Sequence, residues 1–261
     1  MGSMAMAQAV IFQTRGLRKH FGGVKAVDGV NLAIPRGELR AIIGPNGAGK
    51  TTLFNLLTGH IRHDAGAIYF KGEEISRLPP HHVSRKGIGR SFQITSIFRR
   101  MTALENVQVS LMTIRRQHYH IFRPAKTLHQ EEALALLERV GLRDEAWKPS
   151  GILSHGDQKR LELAIALAGK PDLLMLDEPT AGMAPRERQE IMRLVERIGR
   201  AENLTIVFTE HDMDVVFAVA ERITVMHQGS VIAEGTPEAV RADLEVQRVY
   251  LGEHLETSAE S

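Results

Sequence analysis

Gly44-Pro45-Asn46-Gly47-Ala48-Gly49-Lys50-Thr51 follows a short apolar run, Leu39 to Ile43, and precedes a segment whose apolar residues Leu53, Leu56 and Leu57 have helical spacing. The stretch fits the pattern GxxxxGK followed by Ser or Thr, and it lies between a strand and a helix, the context in which that pattern carries a mechanism. Glycines there let backbone N–H groups turn inward and approach phosphate oxygens, while the helix N-terminus behind them adds a favourable partial positive charge. Gly44, Pro45, Asn46, Gly47, Ala48 and Gly49 are therefore expected to cradle phosphates. Lys50 is expected to reach the β- and γ-phosphates of a nucleotide, Thr51 to place its hydroxyl on Mg²⁺, and Thr52 to help hold phosphate oxygens. A glycine-rich turn with a chance lysine is the competing reading, and the flanking strand and helix weigh against it.

Working outward, alternation around Ala26 to Ile34 and the runs Ala67 to Phe70 and Ile88 to Phe92 read as strands. The middle of the chain is mostly helical: Ala133, Leu136, Leu137 and Val140 share one face and end at Gly141, and Leu161, Ala164, Ile165 and Ala168 do the same after Gly156. Strands then return at Leu173 to Leu176, Thr205 to Phe208 and Ile223 to Met226, with a charged amphipathic helix from about Pro185 to Ile198. This alternation implies an α/β chain with a mainly parallel sheet and a helical insertion. Asp177 closes the apolar run Leu173 to Leu176 at the carboxyl end of a buried strand, where ligands bind in open α/β sheets. It is the expected Mg²⁺ ligand, and Glu178 beside it is the expected carboxylate that orients and polarises an attacking water. A solvated strand end before Pro179 is the bland alternative, and it loses weight beside the phosphate loop.

Composition narrows the classes. The chain has 261 residues with 33 Lys and Arg against 31 Asp and Glu, a net charge of +2, far from the basic footprint of a dedicated nucleic-acid binder. Zero cysteines remove disulfides, thiolate metal sites and cysteine nucleophiles, which fits a reducing cytosol. None of the 12 histidines has a tight ligand spacing, so no metal site made of protein ligands alone is expected. No apolar run is long enough to span a bilayer, the first residues lack the basic and apolar regions of a signal peptide so secretion is not expected, and Met1-Gly2-Ser3-Met4 reads as a cloning scar. Between Thr113 and Gln130, Arg115, Arg116, Arg123 and Lys126 interleave with His118, Tyr119, His120 and Phe122; a solvated connector is the favoured reading, with a lipid or protein contact as the alternative.

Leu153-Ser154-His155-Gly156-Asp157-Gln158, 23 residues from Ser154 to Asp177, resembles the signature motif of ATP-binding-cassette (ABC) ATPases. Gln93 after Gly89-Arg90-Ser91-Phe92 is similar to that family's Q-loop, His211 after Thr209-Glu210 to its switch histidine, and Phe21 to the aromatic that stacks on adenine. Alone, Phe21 would read as core and Gln93 or His211 as satisfied loop residues; their order and spacing argue otherwise. Ser154 with Asp157 also reads as a helix N-cap and capping-box variant.

The resemblance spans about 10–253 and implies an ATPase with one domain at 8–253: a P-loop NTPase core at 8–93 and 168–253, an N-terminal antiparallel β subdomain, a helical subdomain at about 94–167, and tails at 1–7 and 254–261. It further implies a head-to-tail pair of ATPases, with each ATP held by the phosphate loop of one and by Ser154 and Gly156 of the other. Glu178, His211 and Gln93 then carry catalysis, and Thr51, Gln93 and Asp177 hold Mg²⁺. The phrases Gly87 to Gln93, Leu161 to Ala164, Glu210 to Met213 and Val249 to Glu253 look like ATPases of branched-chain or hydrophobic amino-acid importers, to which urea and amide importer ATPases are similar. Implied partners are a second ATPase subunit, two integral-membrane permease subunits and, indirectly, a periplasmic or extracellular binding protein, with no nucleic acid, at the cytoplasmic face of the membrane. His155, Asp157 and Ala184 depart from the family pattern, which puts the usual cross-interface contacts in doubt and keeps open a subunit that binds ATP without hydrolysing it. A soluble ABC ATPase, a GTPase or a kinase fits less well: there is one cassette, no long coiled coil and no NKxD motif.

Overall fold

The computed structural model describes residues 9–91, 97–115 and 128–250. In chain order the elements are β1 (Val10–Phe21), β2 (Val24–Pro35), β3 (Leu39–Ile43), α1 (Lys50–Leu57), β4 (Ala65–Phe70), β5 (Glu73–Glu74), α2 (Pro80–Arg85), β6 (Ile88–Ser91), α3 (Ala103–Ile114), α4 (Gln130–Arg139), α5 (His155–Leu167), β7 (Leu173–Asp177), α6 (Pro185–Glu202), β8 (Thr205–Thr209), α7 (Met213–Val219), β9 (Arg222–His227), β10 (Ser230–Gly235) and α8 (Pro237–Ala242). Two sheets result. One is antiparallel, ordered β2-β1-β4-β5; the other is ordered β10-β9-β3-β8-β7-β6, with every pair parallel except β10 with β9.

β3, β7 and β8 are buried along their whole length, which is why each reads as a continuous apolar run rather than an alternating one. One core cluster packs α3, α4, α5, α6 and α7 against one side of the parallel sheet, and a second joins its other side to α1 and the antiparallel sheet. The strands expected from the sequence are present within a few residues. The helix expected at Pro185 to Ile198 runs on to Glu202, where Asn203 ends it in the left-handed conformation. Seven of the described elements escaped the reading of the sequence: β1, β5, α2, α3, α7, β10 and α8. β1 hides because Gly16, at φ 55°, sits at a register shift between Thr14 and Leu17 that breaks the alternation. α3 has the signal Thr102-x-x-Glu105, a complete capping box in the structure, and α7 starts at Asp212, whose carboxylate accepts from the N–H groups of Asp214 and Val215.

Asn106 on α3 ties the helical region together. Its side-chain oxygen accepts from Phe98 N at 2.7 Å, and its amide donates to Thr102 O at 2.9 Å and to Ser150 Oγ at 3.1 Å, so the start of the insertion is fixed to the turn that leads into Ser154. Because the side chain is 2% exposed, truncation leaves several buried polar groups without partners. Asn106→Ala is expected to cost about 2 kcal/mol of stability in urea denaturation; an unchanged midpoint and slope would show that water replaces these bonds freely.

Candidate functional site

β3, β8 and β7 are consecutive parallel neighbours, so the segments that follow them open at one edge of the sheet. After β3 comes the glycine loop. A Cβ on Gly44 would fall 2.2 Å from Met226 O, and one on Gly49, at φ 100°, would fall 2.1 Å from Ala26 O. Both glycines are therefore imposed by neighbouring backbone as well as by any ligand. Lys50 is buried at the first position of α1, and its amine donates to Gly44 O and to Pro45 O, the latter at 3.0 Å, so it lies folded over the loop. Thr51 is exposed and Thr52 half-buried on the same turn.

The register of β7 and β8 sets Asp177 opposite Thr209. Asp177 is 3% exposed; its Oδ1 accepts from the Thr209 hydroxyl at 2.9 Å, and its Oδ2 pairs with Arg90 at 3.2 Å. Glu178 leaves the strand with φ 49°, a conformation uncommon for a side chain of its size, held by bonds from its N–H to Thr209 O at 3.2 Å and to Thr209 Oγ1 at 3.0 Å. That turn aims the carboxylate outward, where Glu178 Oε1 lies 2.7 Å from His211 Nε2. Two residues that follow different strands thus meet because the strands are adjacent.

Ser154 caps α5: its hydroxyl accepts from Asp157 N at 3.1 Å and donates to Asp157 Oδ2 at 2.7 Å. The Asp157 carboxylate thus bonds the cap's side chain, where a capping box would have it accept from the cap's backbone N–H; only the N-cap half of the sequence reading stands. Gly156 has no positive φ, and a Cβ there would meet Met183 Cε at an ordinary 3.5 Å. His155 Nε2 lies 3.1 Å from Ala181 O, joining the start of α5 to the turn after β7. Ala184 caps α6 without an acceptor; only the reciprocal bond, from its N–H to Glu187 Oε2 at 3.2 Å, remains.

Phe21 is half exposed at the end of β1, which excludes the core-aromatic alternative, and Lys19 Nζ lies 5.3 Å from its ring centroid while pairing with Asp64 at 2.7 Å. Gln93, the expected Q-loop residue, lies outside the described residues, as does most of the basic segment, 116–127. Arg115, at its edge, makes a two-pronged contact with the Glu132 carboxylate.

The sequence reading missed the part played by Arg90. Its NH1 donates to Asn55 Oδ1 at 2.8 Å and Thr58 Oγ1 at 2.9 Å, and approaches His60 Nδ1 at 3.4 Å. Burial first, and the Arg90 charge second, hold His60 below the usual imidazole range. An arginine in a short strand otherwise made of Ile, Gly and Ser is the signal that was available, since a cation there requires partners.

Glu210 was also passed over. Its Oε1 accepts from Thr180 N at 2.8 Å and Thr180 Oγ1 at 2.7 Å, pinning the turn that follows Glu178. Burial pushes its carboxyl above the usual 4.5, the Glu178 charge adds to the rise, and the Thr180 and His211 bonds oppose it. The folded chain thus holds this proton to higher pH than the unfolded chain, so the stability it contributes is complete below the unfolded value and is lost as pH rises through the folded one. Glu210→Gln keeps an acceptor for Thr180 and removes that loss. Its melting temperature should exceed the parent's by about 2–4 °C near pH 8, with a smaller gain near pH 5; thermal melts showing equal gains at the two pH values would contradict the assigned cause.

The ABC transporter family matches residues 27–181, and a second family, described as branched-chain amino acid ATP-binding cassette transporter, matches 230–256. The chain is 40% identical over 256 residues to the high-affinity branched-chain amino acid transport ATP-binding protein BraF of Pseudomonas aeruginosa, and 39% identical to LivG of Escherichia coli, covering 93% of this chain and 98% of each relative. Among solved structures, the ADP conformation of MJ1267, an ATP-binding cassette of an ABC transporter, is 33% identical with a TM-score of 0.84 over 94% of this chain and 100% of that one. The dimeric structure of MJ0796, a bacterial ABC transporter cassette, is 26% identical with a TM-score of 0.74 over 87% and 99%. The chain belongs to the ABC transporter ATP-binding family and is an ATPase of the kind that powers transport.

Proposed function

We propose that the chain is the ATP-binding and ATP-hydrolysing subunit of an importer for branched-chain or other hydrophobic amino acids, working as one of a pair of ATPases on two permease subunits that receive substrate from a binding protein outside the membrane. The observation that carries the catalytic part is the shared sheet edge, where the phosphate loop, Asp177, Glu178 and His211 emerge from three adjacent strands. The substrate class rests on the likeness to BraF and LivG and on the match at 230–256. No described helix is long and apolar enough to cross a membrane, and the subunit's proposed place is against the cytoplasmic side of its permeases. The division into a core at 8–93 and 168–253 with a helical subdomain at about 94–167 belongs to the same reading.

Lys50 exchanges neutral carbonyl partners for phosphate oxygens when nucleotide binds, and such charge-assisted bonds are roughly twice as strong. Phe21 offers an exposed ring face to the adenine. The described residues fit Mg²⁺ in their chemistry: the buried carboxylate of Asp177 and the hydroxyl of Thr51 are oxygen donors, and the amide oxygen of Gln93 would add another. When bound, the ion spreads the negative charge of the phosphates. Glu178 orients the attacking water and draws on its proton, while His211 holds Glu178 and turns to the γ-phosphate. Gln93 passes the state of this site to the helical subdomain.

Ser154 and Gly156 serve the nucleotide of a second chain. The exposed Ser154 at the N-terminus of α5 supports this reading, as does the dimeric form of the related cassette MJ0796. Gly156 gives a sharp test, because the fold tolerates a methyl there and alanine is the better helix former. Gly156→Ala should keep or slightly raise the melting temperature and, because the methyl stands where the phosphate would approach, lower steady-state ATP hydrolysis by about 100-fold, comparable to losing one oxyanion donor; full activity would remove the cross-chain role. Glu178→Gln should bind ATP with parental affinity and lose about 100-fold or more in turnover, and ordinary turnover in that variant would defeat the assignment of Glu178.

A further inference from the structure

Arg90 sits between two carboxylates of different elements. On one side its NH2 pairs with Asp177 Oδ2 at 3.2 Å, with side-chain exposures of 10% and 1%. On the other side is a cavity of about 210 Å³ between the end of β6 and helices α3 and α5, lined by both Arg90 and Glu162. Arg90 Nε and Glu162 Oε1 are buried and have no hydrogen-bond partner among the described residues. Glu162 Oε2 pairs with Lys159 at 3.1 Å, which leaves one carboxylate oxygen unserved. A buried guanidinium N–H and a buried carboxylate oxygen are complementary, and each is costly to leave alone.

We propose that Arg90 is a positioning residue shared by these two carboxylates: it neutralises Asp177 when no divalent cation engages that group, and it turns to Glu162 across the cavity when one does. Two cations cannot both sit on one buried carboxylate without strong repulsion, so engagement of Asp177 by a metal ion drives the NH2 edge of Arg90 away. The NH1 edge stays anchored on Asn55 and Thr58 of the α1 end, which makes the motion a rotation about a fixed point. Glu162 lies eight residues beyond Ser154 on α5, about 12 Å along a rigid helix. A pull on Glu162 therefore reaches the segment that carries Ser154 and Gly156. This inference rests on the reading of Asp177 as a metal ligand.

The test is calorimetric ADP binding in Mg²⁺ and in EDTA for the parent, Glu162→Gln, Arg90→Met and the double variant. In Glu162→Gln, EDTA affinity should be unchanged, while the tightening due to Mg²⁺ falls by about tenfold, the loss of one charged hydrogen bond. In Arg90→Met the tightening should grow, and adding Glu162→Gln should then change nothing. A parental Mg²⁺ effect in Glu162→Gln, or the same tenfold loss with and without Arg90, overturns the proposal while leaving Asp177 as metal ligand. Absence of any Mg²⁺ effect in the parent chain removes the Asp177 reading, and this proposal with it. Should Arg90→Met fail to fold, Glu162→Gln alone decides, because it leaves the Arg90–Asp177 pair intact.

Discussion

In the parallel ladder of β7 and β8, Asp177 lies opposite Thr209, and the threonine hydroxyl both donates to the Asp177 carboxylate and accepts from the N–H of Glu178. That one side chain fixes a buried charge and the left-handed turn after it together. Glu178 then faces His211, Thr180 is captured by Glu210, and Ala181 reaches His155 at the start of α5. A slip of one residue between these strands would set Asp177 opposite Phe208 or Glu210 in place of Thr209, and the cluster would disperse.

The cluster carries buried charge, and its energetics favour function over stability. Asp177 and Arg90 are almost wholly removed from water, and a pair of this kind gains little net stability over an apolar replacement, whereas losing one partner strands the other. Such a pair has value as a switchable element. Glu210 has the same character: burial keeps its carboxyl reluctant to ionise, yet it holds the turn on which Glu178 depends.

Much of this was legible in the sequence because the signals were local. The phosphate loop is contiguous, and the buried strands read as apolar runs because both faces are covered. The family resemblance assigned Glu178 and His211 to one site, but their direct contact was not anticipated, since strand order is not written in periodicity. Arg90 was visible as a letter but not as a role; its partners Asn55 and Thr58 at the end of α1 and Asp177 at the end of β7 come from two distant elements. The long strand β1 was lost to its Gly16 irregularity, and α3 to an overlooked capping box. Of the departures from the family pattern, Asp157 leaves α5 capped by Ser154, while Ala184 leaves α6 only the reciprocal bond to Glu187.

The account stands or falls on a site completed by a second chain. The sequence has no cysteine, so a single one introduced at the exposed position Ile152, beside Ser154, can carry a spin label without competing thiols. In a Glu178→Gln background, the distance from that label to nucleotide-bound Mn²⁺ should be shorter with ATP than with ADP, and the short distance should vanish on dilution. A label-to-metal distance that stays the same at every protein concentration, with ATP or with ADP, would contradict the composite site.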